Sequence, residues 1–522
     1  MNKFETMKQE KDGLDVLGDI PRFAEEGFSA IPEDDLERLK WAGIFHRKPT
    51  RPFFMMRFRF PSGIASTRQL RAVADIFDDF GRGFGDLTTR QQIEPRWRRI
   101  EDMPRVMERL DAVGLTSLQT GMDNVRGVVG CALAGLYPEE LLNAAPLCAQ
   151  FQDMFVGDRA YTNLPRKFNV AITGCPDNCI DAESQDVALI PAVNEVGNEH
   201  IRGFNVLVGG KMGSGGFRVA DPLDVFVGPE AAAAICRELV LIFRDFGPRE
   251  TRSRARFAFL IEERGLPWVR DTLEQRMGRV LPRSGRDVRC TWRVDHVGVT
   301  PQRQSELNAV GLLGPVGRVT ADRLRDLARL ADQYGGSEVR LTTEQNVVIP
   351  HVSDSRLGPM LAEPLLQEWR PDADPALRGL VACTGTEFCN LALIETKGRA
   401  LEVARALAGR LPANGPPRTR EEIVGGGEGA TTHDPSRRVL TIRWSGCPAG
   451  CGNHHAADVG LQGKRIRLAD GEVVEAVTIS VGGRTGPGAR PARIVREDVV
   501  CDEHLPAVLE EVIRGEENDG PS

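Results

Sequence analysis

No stretch of about 18 or more apolar residues occurs in this 522-residue chain, so nothing in it reads as a membrane span. The opening MNKFETMKQEKDGLDVLGD has no apolar core of the kind a secretion signal requires. A basic excess is missing too. The formal net charge is −7, which speaks against nucleic-acid binding, although Arg57, Arg59, Arg96, Arg98 and Arg99 sit close together. Eleven cysteines, an odd number spread over a long chain, do not resemble a secreted disulfide framework. A dinucleotide fingerprint is also lacking. GRGFGD (81–86) and VGGKMGSGG (208–216) have the wrong spacing for G-x-G-x-x-G followed by an acidic residue. We therefore expect a cytoplasmic protein with reduced thiols, taking electrons from a small protein and not directly from a nicotinamide.

What is present is concentrated in four cysteines. Cys383 and Cys389 lie in ACTGTEFCN, and Cys447 and Cys451 in SGCPAGCGNH, both rich in turn-forming neighbours. Four thiolates brought together are the ordinary ligand set of a [4Fe-4S] cluster. Buried thiols are usually inert packing groups, and that reading competes for either pair alone. Both pairs together point to an iron–sulfur redox protein.

The chain is also written twice. LTTRQQIEP (87–95) recurs as LTTEQNVVIP (341–350), and VRGVVGCALAG (125–135) as LRGLVACTGTEFC (377–389). KFNVAITGCPDNC (167–179) matches RVLTIRWSGCPAGC (438–451), and VLVGGKMG (206–213) matches TISVGGRTG (478–486). Order and spacing are kept, so a tandem duplication with a pseudo-twofold axis is expected. Cys131, Cys175 and Cys179 then align with Cys383, Cys447 and Cys451, while Tyr137 stands where the second half has Cys389. That trio is read as an ancestral remnant, as packing, or as a second cluster completed by Cys148 or an outside ligand.

At this length several domains are expected. They are an arm at 1–49, a small strand–helix–strand unit at 50–119, a larger mixed unit at 120–290, a second small unit at 291–370 and a second large one at 371–522. FNVAIT, FNVLVGG, VLTIRW and AVTISVGG read as strands, and PEAAAAICRELVLIFRDFG as a helix. Linkers are expected at 281–289 and 411–436, and the last ten residues are expected to fray.

The combination CTGTEFC, SGCPAGC, TTRQ, NLPRKFN and VGGKMG resembles the sirohaem-dependent nitrite and sulfite reductase family. DDLERLKWAGIFHRKPT resembles its ferredoxin-type nitrite reductase branch. The resemblance implies an α+β fold, internally duplicated, with two ferredoxin-like half-domains and two larger mixed units. It implies sirohaem and a [4Fe-4S] cluster held by Cys383, Cys389, Cys447 and Cys451, with Cys451 shared by the haem iron. Substrate cations map onto Arg57, Arg126 and Lys167. Arg59, Arg90 and Lys211 are candidates for sirohaem carboxylates, and glycines 209 and 210 would let backbone approach closely. The implied donor is ferredoxin, or flavodoxin, with Arg96, Arg98 and Arg99 as candidate docking residues, and the chain is expected to act as a monomer.

Lys167 can bind an anion and donate a proton, whereas arginine serves as a clamp. Asn169 stands where sulfite-reducing relatives carry a second lysine, and the lower charge favours singly charged nitrite over sulfite. Glu94 and Asp86 depart from the family pattern. His454 and His455 are expected to support by hydrogen bonding. Sulfite reduction, a cobalamin-pathway oxygenase and a plain electron carrier are the alternatives. The anion-binding Arg57, Arg126 and Lys167 speak against the carrier.

Overall fold

The computed structural model describes residues 2–213, 215–411 and 438–518. The duplication is visible strand by strand. In the first large unit Val170–Ile172 runs parallel to Val187–Val196, which pairs antiparallel with Glu199–Val208, itself antiparallel to Asp221–Val227. The second repeats this with Ile442–Ser445, Val459–Arg467, Val473–Val481 and Arg493–Val500. Its first strand, Leu380–Ala382, pairs parallel with Ile442–Ser445; the equivalent stretch of the first copy makes only the bridges Val125–Phe168 and Val129–Ala171.

Each sheet is covered by an apolar helix. Pro229–Phe246 buries Ile235, Leu239 and Phe243 in the first unit, and Leu505–Asn518 buries Leu505, Leu509 and Ile513 in the second. The four strands and the long helix read from periodicity are present.

The small units are less separate than the sequence suggests. Ile64–Ser66 of the first pairs with Glu338–Leu341 of the second, and Arg318–Thr320 of the second pairs with Phe84–Leu87 of the first. Each exchanged strand runs straight into a capped amphipathic helix. Ser66 and Gln69 form a capping box for Thr67–Asp79, and Thr320 accepts from Arg323 N to start Ala321–Tyr334. The two helices face each other and share one core, in which Leu70, Val73 and Phe77 join Leu324, Leu327 and Leu330. Reciprocal ion pairs, Arg71–Asp332 at 2.5 Å and Arg325–Asp78 at 2.7 Å, mark the pseudo-twofold axis.

The N-terminal segment is clamped to the body. Ile20 and Phe23 enter the shared core, Trp41 Nε1 donates to Thr162 O at 2.9 Å, and Lys8 pairs with Asp123 at 3.2 Å. Two sequence expectations change. The 281–289 stretch is no plain linker, because Arg286–Asp287 adds an edge to the first large sheet. The tail is helical through Asn518, held by apolar side chains that dock its inner face. The 411–436 linker lies, beyond Leu411, outside the described residues. Among the described residues no helix is long and apolar enough to cross a membrane.

Candidate functional site

The parallel strands Leu380–Ala382 and Ile442–Ser445 end at the same edge of their sheet, and each delivers a cysteine just beyond its last residue. Cys383 N donates to Trp444 O at 3.1 Å, and Gly446 N donates to Cys383 Sγ at 3.1 Å. Cys389 returns through a turn closed by its N–H on Gly385 O at 3.1 Å, with Gly385 at a φ of 70°. Gly450, at a φ of 69°, sits against Met212 O of the first half, where an added Cβ would lie 1.5 Å from that oxygen. A side chain there would drive the two halves apart.

None of the four thiols is in a disulfide, and each lies within the electrostatic reach of others in the set. Burial pushes the Cys447 thiol up to about 11, and the neighbouring sulfurs of Cys451, Cys389 and Cys383 push the same way. Burial and Cys451 likewise raise Cys383. Metal binding takes cysteines as thiolates and releases their protons.

Positive charge gathers around Cys451. Arg90, Arg126 and Lys167 share its field, and Cys451 itself acts on Arg90 and Lys167. Burial, then Arg256, pushes the Lys167 ammonium down to about 7, Cys451 opposes this, and Arg126 and Arg90 add to it. No hydrogen bond to Lys167 Nζ occurs among the described residues. Arg126 is held by Nη2 on Met122 O at 2.9 Å and by Nη1 on Thr120 O, and burial followed by Arg57 and Arg90 depresses it. Arg57 reaches Thr120 O at 3.1 Å and pairs with Glu94 at 2.5 Å. Arg90 donates to Gln185 Oε1 at 3.2 Å. Asn169 is buried, with Oδ1 lacking a hydrogen-bond partner, so the side chain is not spent on a backbone group.

Other candidates have different work. Arg59 is 1% exposed and donates to the carbonyls of Leu118, Gln119 and Val125 at 2.7–2.8 Å. It therefore clips the loop that carries Arg126. Lys211 donates to Gly215 O at 2.8 Å over the Phe259 ring, and burial lowers it to about 8. Gly210 admits the backbone of Glu183 and Gln185, since its added Cβ would lie 2.2 Å from Glu183 O. Arg96 and Arg98 are buried, Arg96 on Asp86 and Glu94 and Arg98 on Arg96 O, so neither can dock a partner; Arg99 is exposed. The unusual Glu94 and Asp86 are thereby accounted for: each neutralises buried cations.

The whole arrangement has known counterparts. The profile of the "Nitrite/Sulfite reductase ferredoxin-like half domain" matches residues 46–113 and 300–366, and that of the "Nitrite and sulphite reductase 4Fe-4S domain" matches 121–281. The ferredoxin–nitrite reductase of Synechococcus elongatus is 42% identical over 98% of this chain and 96% of its own length. The assimilatory ferredoxin-dependent nitrite reductase of Haloferax mediterranei is 39% identical over 96% of this chain and 87% of its own. The chain belongs to the nitrite and sulfite reductase family. Its fold matches the solved structure of the Mycobacterium tuberculosis NirA protein with a TM-score of 0.86, at 28% identity, over 98% of this chain and 92% of that one.

The cofactors of this reductase are sirohaem and a [4Fe-4S] cluster, and the residues present fit both. Four unbridged thiols converge for the cluster. For an acidic tetrapyrrole and an anion there are buried polar atoms without partners, Arg126 Nε, Asn169 Oδ1 and both amide atoms of Gln92, beside several cations.

Sequence reasoning missed two members of this reductase's site. Arg256 grips Asp186 by two bonds, Nε to Oδ1 at 3.1 Å and Nη2 to Oδ2 at 2.6 Å. Asp186 Oδ2 also accepts from Asn169 N at 2.9 Å, which ties the Lys167–Asn169 segment to the charge cluster. The duplication held a clue to Asp186: Asp458 accepts from Thr441 N at 2.9 Å in the matching place of the second copy. Arg256 is the last of four arginines between 249 and 256, and nothing in the sequence singles it out. His454 bonds Ser445 Oγ at 2.8 Å and burial holds it down to about 3, so it braces the cysteine loop in neutral form.

Proposed function

We propose that this reductase converts nitrite to ammonium, with Cys383, Cys389, Cys447 and Cys451 holding the cluster and Cys451 shared with the haem iron. Held by these residues, the two centres would supply the electrons for reducing the bound anion. The rest is the work of the chain. Arg57, Arg126 and Lys167 attract the anion; a unit pair at about 4 Å is worth roughly 4 kcal/mol at an effective dielectric near 20. Arg57 is partly neutralised by Glu94, so Arg126 and Lys167 carry most of that attraction. Lys167 is the proton donor at Nζ, because its pKa lies within reach of neutrality whereas the guanidinium groups remain charged. Arg256 and Asp186 fix the segment that bears it, and Arg59 fixes the loop that bears Arg126.

The observation that carries this reading is the meeting of Lys167, Arg126 and Arg90 beneath Cys451 in a chain alike end to end with ferredoxin-type nitrite reductases. Neutral Asn169 favours the singly charged anion. Ferredoxin is the donor that the relatives' names support. The test is turnover of nitrite and sulfite by the holoenzyme with reduced ferredoxin. Six electrons per nitrite with stoichiometric ammonium supports the proposal; sulfide formation at a higher kcat/KM replaces it with sulfite reduction.

A further inference from the structure

The cluster-domain profile matches the first copy, yet that copy's cysteines are arranged for something other than a cube. Cys131, Cys175 and Cys179 are 1%, 0% and 2% exposed, and their sulfurs lie within 4.8 Å of one another. Thiolates on a single zinc, at about 2.3 Å from it, stand roughly 3.8 Å apart across the edge of a tetrahedron. Thiolates on a [4Fe-4S] cube must stand much farther apart, because irons and sulfides lie between them. Among the described residues the four cysteines of the second copy do not gather within 4.8 Å, whereas the trio does. Two copies of one ancestral loop have thus settled at two different ligand spacings.

A candidate fourth ligand stands beside two of the three sulfurs, although neither of its ring nitrogens lies within 4.8 Å of all three. His296 Nε2 lies 3.3 Å from Cys131 Sγ, and its ring also faces Cys179. It comes from the segment entering the second small unit, just before the strand Gly298–Pro301. Cys148 is not the missing partner: its thiol points to Val129 O and Ile172 O instead, at 3.9 and 3.6 Å. Tyr137, which replaces the counterpart of Cys389, packs in the same buried cluster, with its hydroxyl 3.5 Å from Glu139.

We propose that Cys131, Cys175, Cys179 and His296 bind one structural zinc ion. With the His296 ring drawn in toward all three sulfurs, three thiolates and one imidazole would complete a closed tetrahedral Cys3His set, of borderline-soft donors that suit zinc. The surroundings are prepared for it. Leu133 N–H donates to Cys131 Sγ at 3.3 Å, in the way backbone amides steady a metal thiolate. Thr173 Oγ1 accepts from Cys175 N at 3.2 Å, fixing the start of the C-P-D-N-C turn. Arg293 and Thr343 both donate to Cys179 O, each at 2.9 Å. Three thiolates on a divalent ion leave one negative charge. Arg340, which donates to Ala132 O and Ala134 O at 3.1 and 2.6 Å, and Arg293 lie close by, although each is also paired with carboxylates, Arg340 with Glu338 and Arg293 with Asp181 and Glu344.

The ion staples the first large unit to the segment leading into the second small one, and it occupies the pseudo-symmetric counterpart of the redox cluster. Burial leaves no open coordination position, so its role is structural. The inference stands whichever anion the enzyme reduces.

The test is metal analysis of the untagged holoenzyme from zinc-containing medium, with zinc K-edge absorption spectroscopy. About one zinc per chain beside the iron, with three sulfur neighbours near 2.3 Å and one nitrogen near 2.0 Å, is expected. Cys179→Ser and His296→Ala should each lower zinc at least about tenfold while the visible spectrum of the redox centres is retained. Should those variants fail to fold, the edge of the unaltered enzyme still decides. Zinc-free enzyme with its full iron, a zinc edge lacking sulfur neighbours, or a disulfide within the trio would overturn the inference.

Discussion

Asn169 joins charge to substrate choice within one side chain. Its backbone is fixed from both sides, N–H on Asp186 and carbonyl on Val187 N, while its side-chain oxygen is buried without a partner. A lysine introduced there adds a cation next to Lys167 without moving the strand. The added charge stabilises a doubly charged anion more than a singly charged one, so Asn169→Lys should raise the sulfite-to-nitrite ratio of kcat/KM by about tenfold or more, equivalent to ~1.4 kcal/mol. An unchanged ratio in steady-state kinetics of both anions would remove Asn169 from the specificity argument.

Asp123 ties the N-terminal segment and Arg252 to the loop that leads into Arg126. It is fully buried, takes two bonds from Arg252 at 2.7 Å, and pairs with Lys8, with Arg252 and Lys8 outweighing burial to hold its carboxyl below the usual range. A depressed carboxylate pKa contributes stability that is complete above the unfolded value, near 3.9, and is lost as pH falls through the folded value. Asp123→Asn should therefore cost about 3 kcal/mol at neutral pH, since it takes the carboxylate from Arg252 and leaves Lys8 with Glu5 alone. That deficit should be constant from about pH 5 to 8 and shrink in more acid solution. Denaturation monitored across that range measures it, and a deficit that grew on acidification would contradict the assignment.

At the scale of elements, the two T-T-x-Q loops show what the sequence made legible. Their repetition announced a twofold relation, and the structure gives it a physical form. Gln91 Nε2 donates to Leu341 O at 2.8 Å and Gln345 Nε2 donates to Leu87 O at 3.0 Å, so each loop satisfies a carbonyl of the other copy. Gln91 also bonds Gly130 through both amide atoms, and Gln345 accepts from Ala382 N, which places each loop beside the following cysteine segment. Strands, helices and the gathering of the four cysteines and of Arg90, Arg126 and Lys167 were readable because period, spacing and residue type are local. The exchanged strands Ile64–Ser66 and Arg318–Thr320 were not, since each is three residues long and its partner lies far along the chain. The burial of Arg96 and Arg98 was equally hidden, because the carboxylates that make it tolerable come from facing strands. Gln91→Ala leaves several buried backbone groups unpaired at about 1–3 kcal/mol each, and should lower stability by more than about 2 kcal/mol. Gln345→Ala should do the same by symmetry, and a loss confined to one of the two variants in thermal unfolding would show that the crossing is unequal.

For the whole molecule, duplication and independence are different things. A tandem repeat could have yielded two units that fold alone, but here the small units trade strands and pool their apolar residues in one core. Residues 1–290 expressed alone would keep Ile64–Ser66 without Glu338–Leu341 and Phe84–Leu87 without Arg318–Thr320, exposing two strand edges. The helix Thr67–Asp79 would lose Leu324, Leu327 and Leu330, which cover its buried face. We expect this fragment to aggregate or remain uncooperative in thermal unfolding, and co-expression with 291–522 to restore one cooperative species of the full enzyme's absorbance. The active-site consequence follows from the same interlock. Cys451 is carried by the second copy, while Arg126 and Lys167 are carried by the first, and the close approach of Gly450 to Met212 fixes their separation. A soluble 1–290 fragment with a sharp unfolding transition would mean that the first copy needs none of this, and that the pocket is assembled by docking of finished halves.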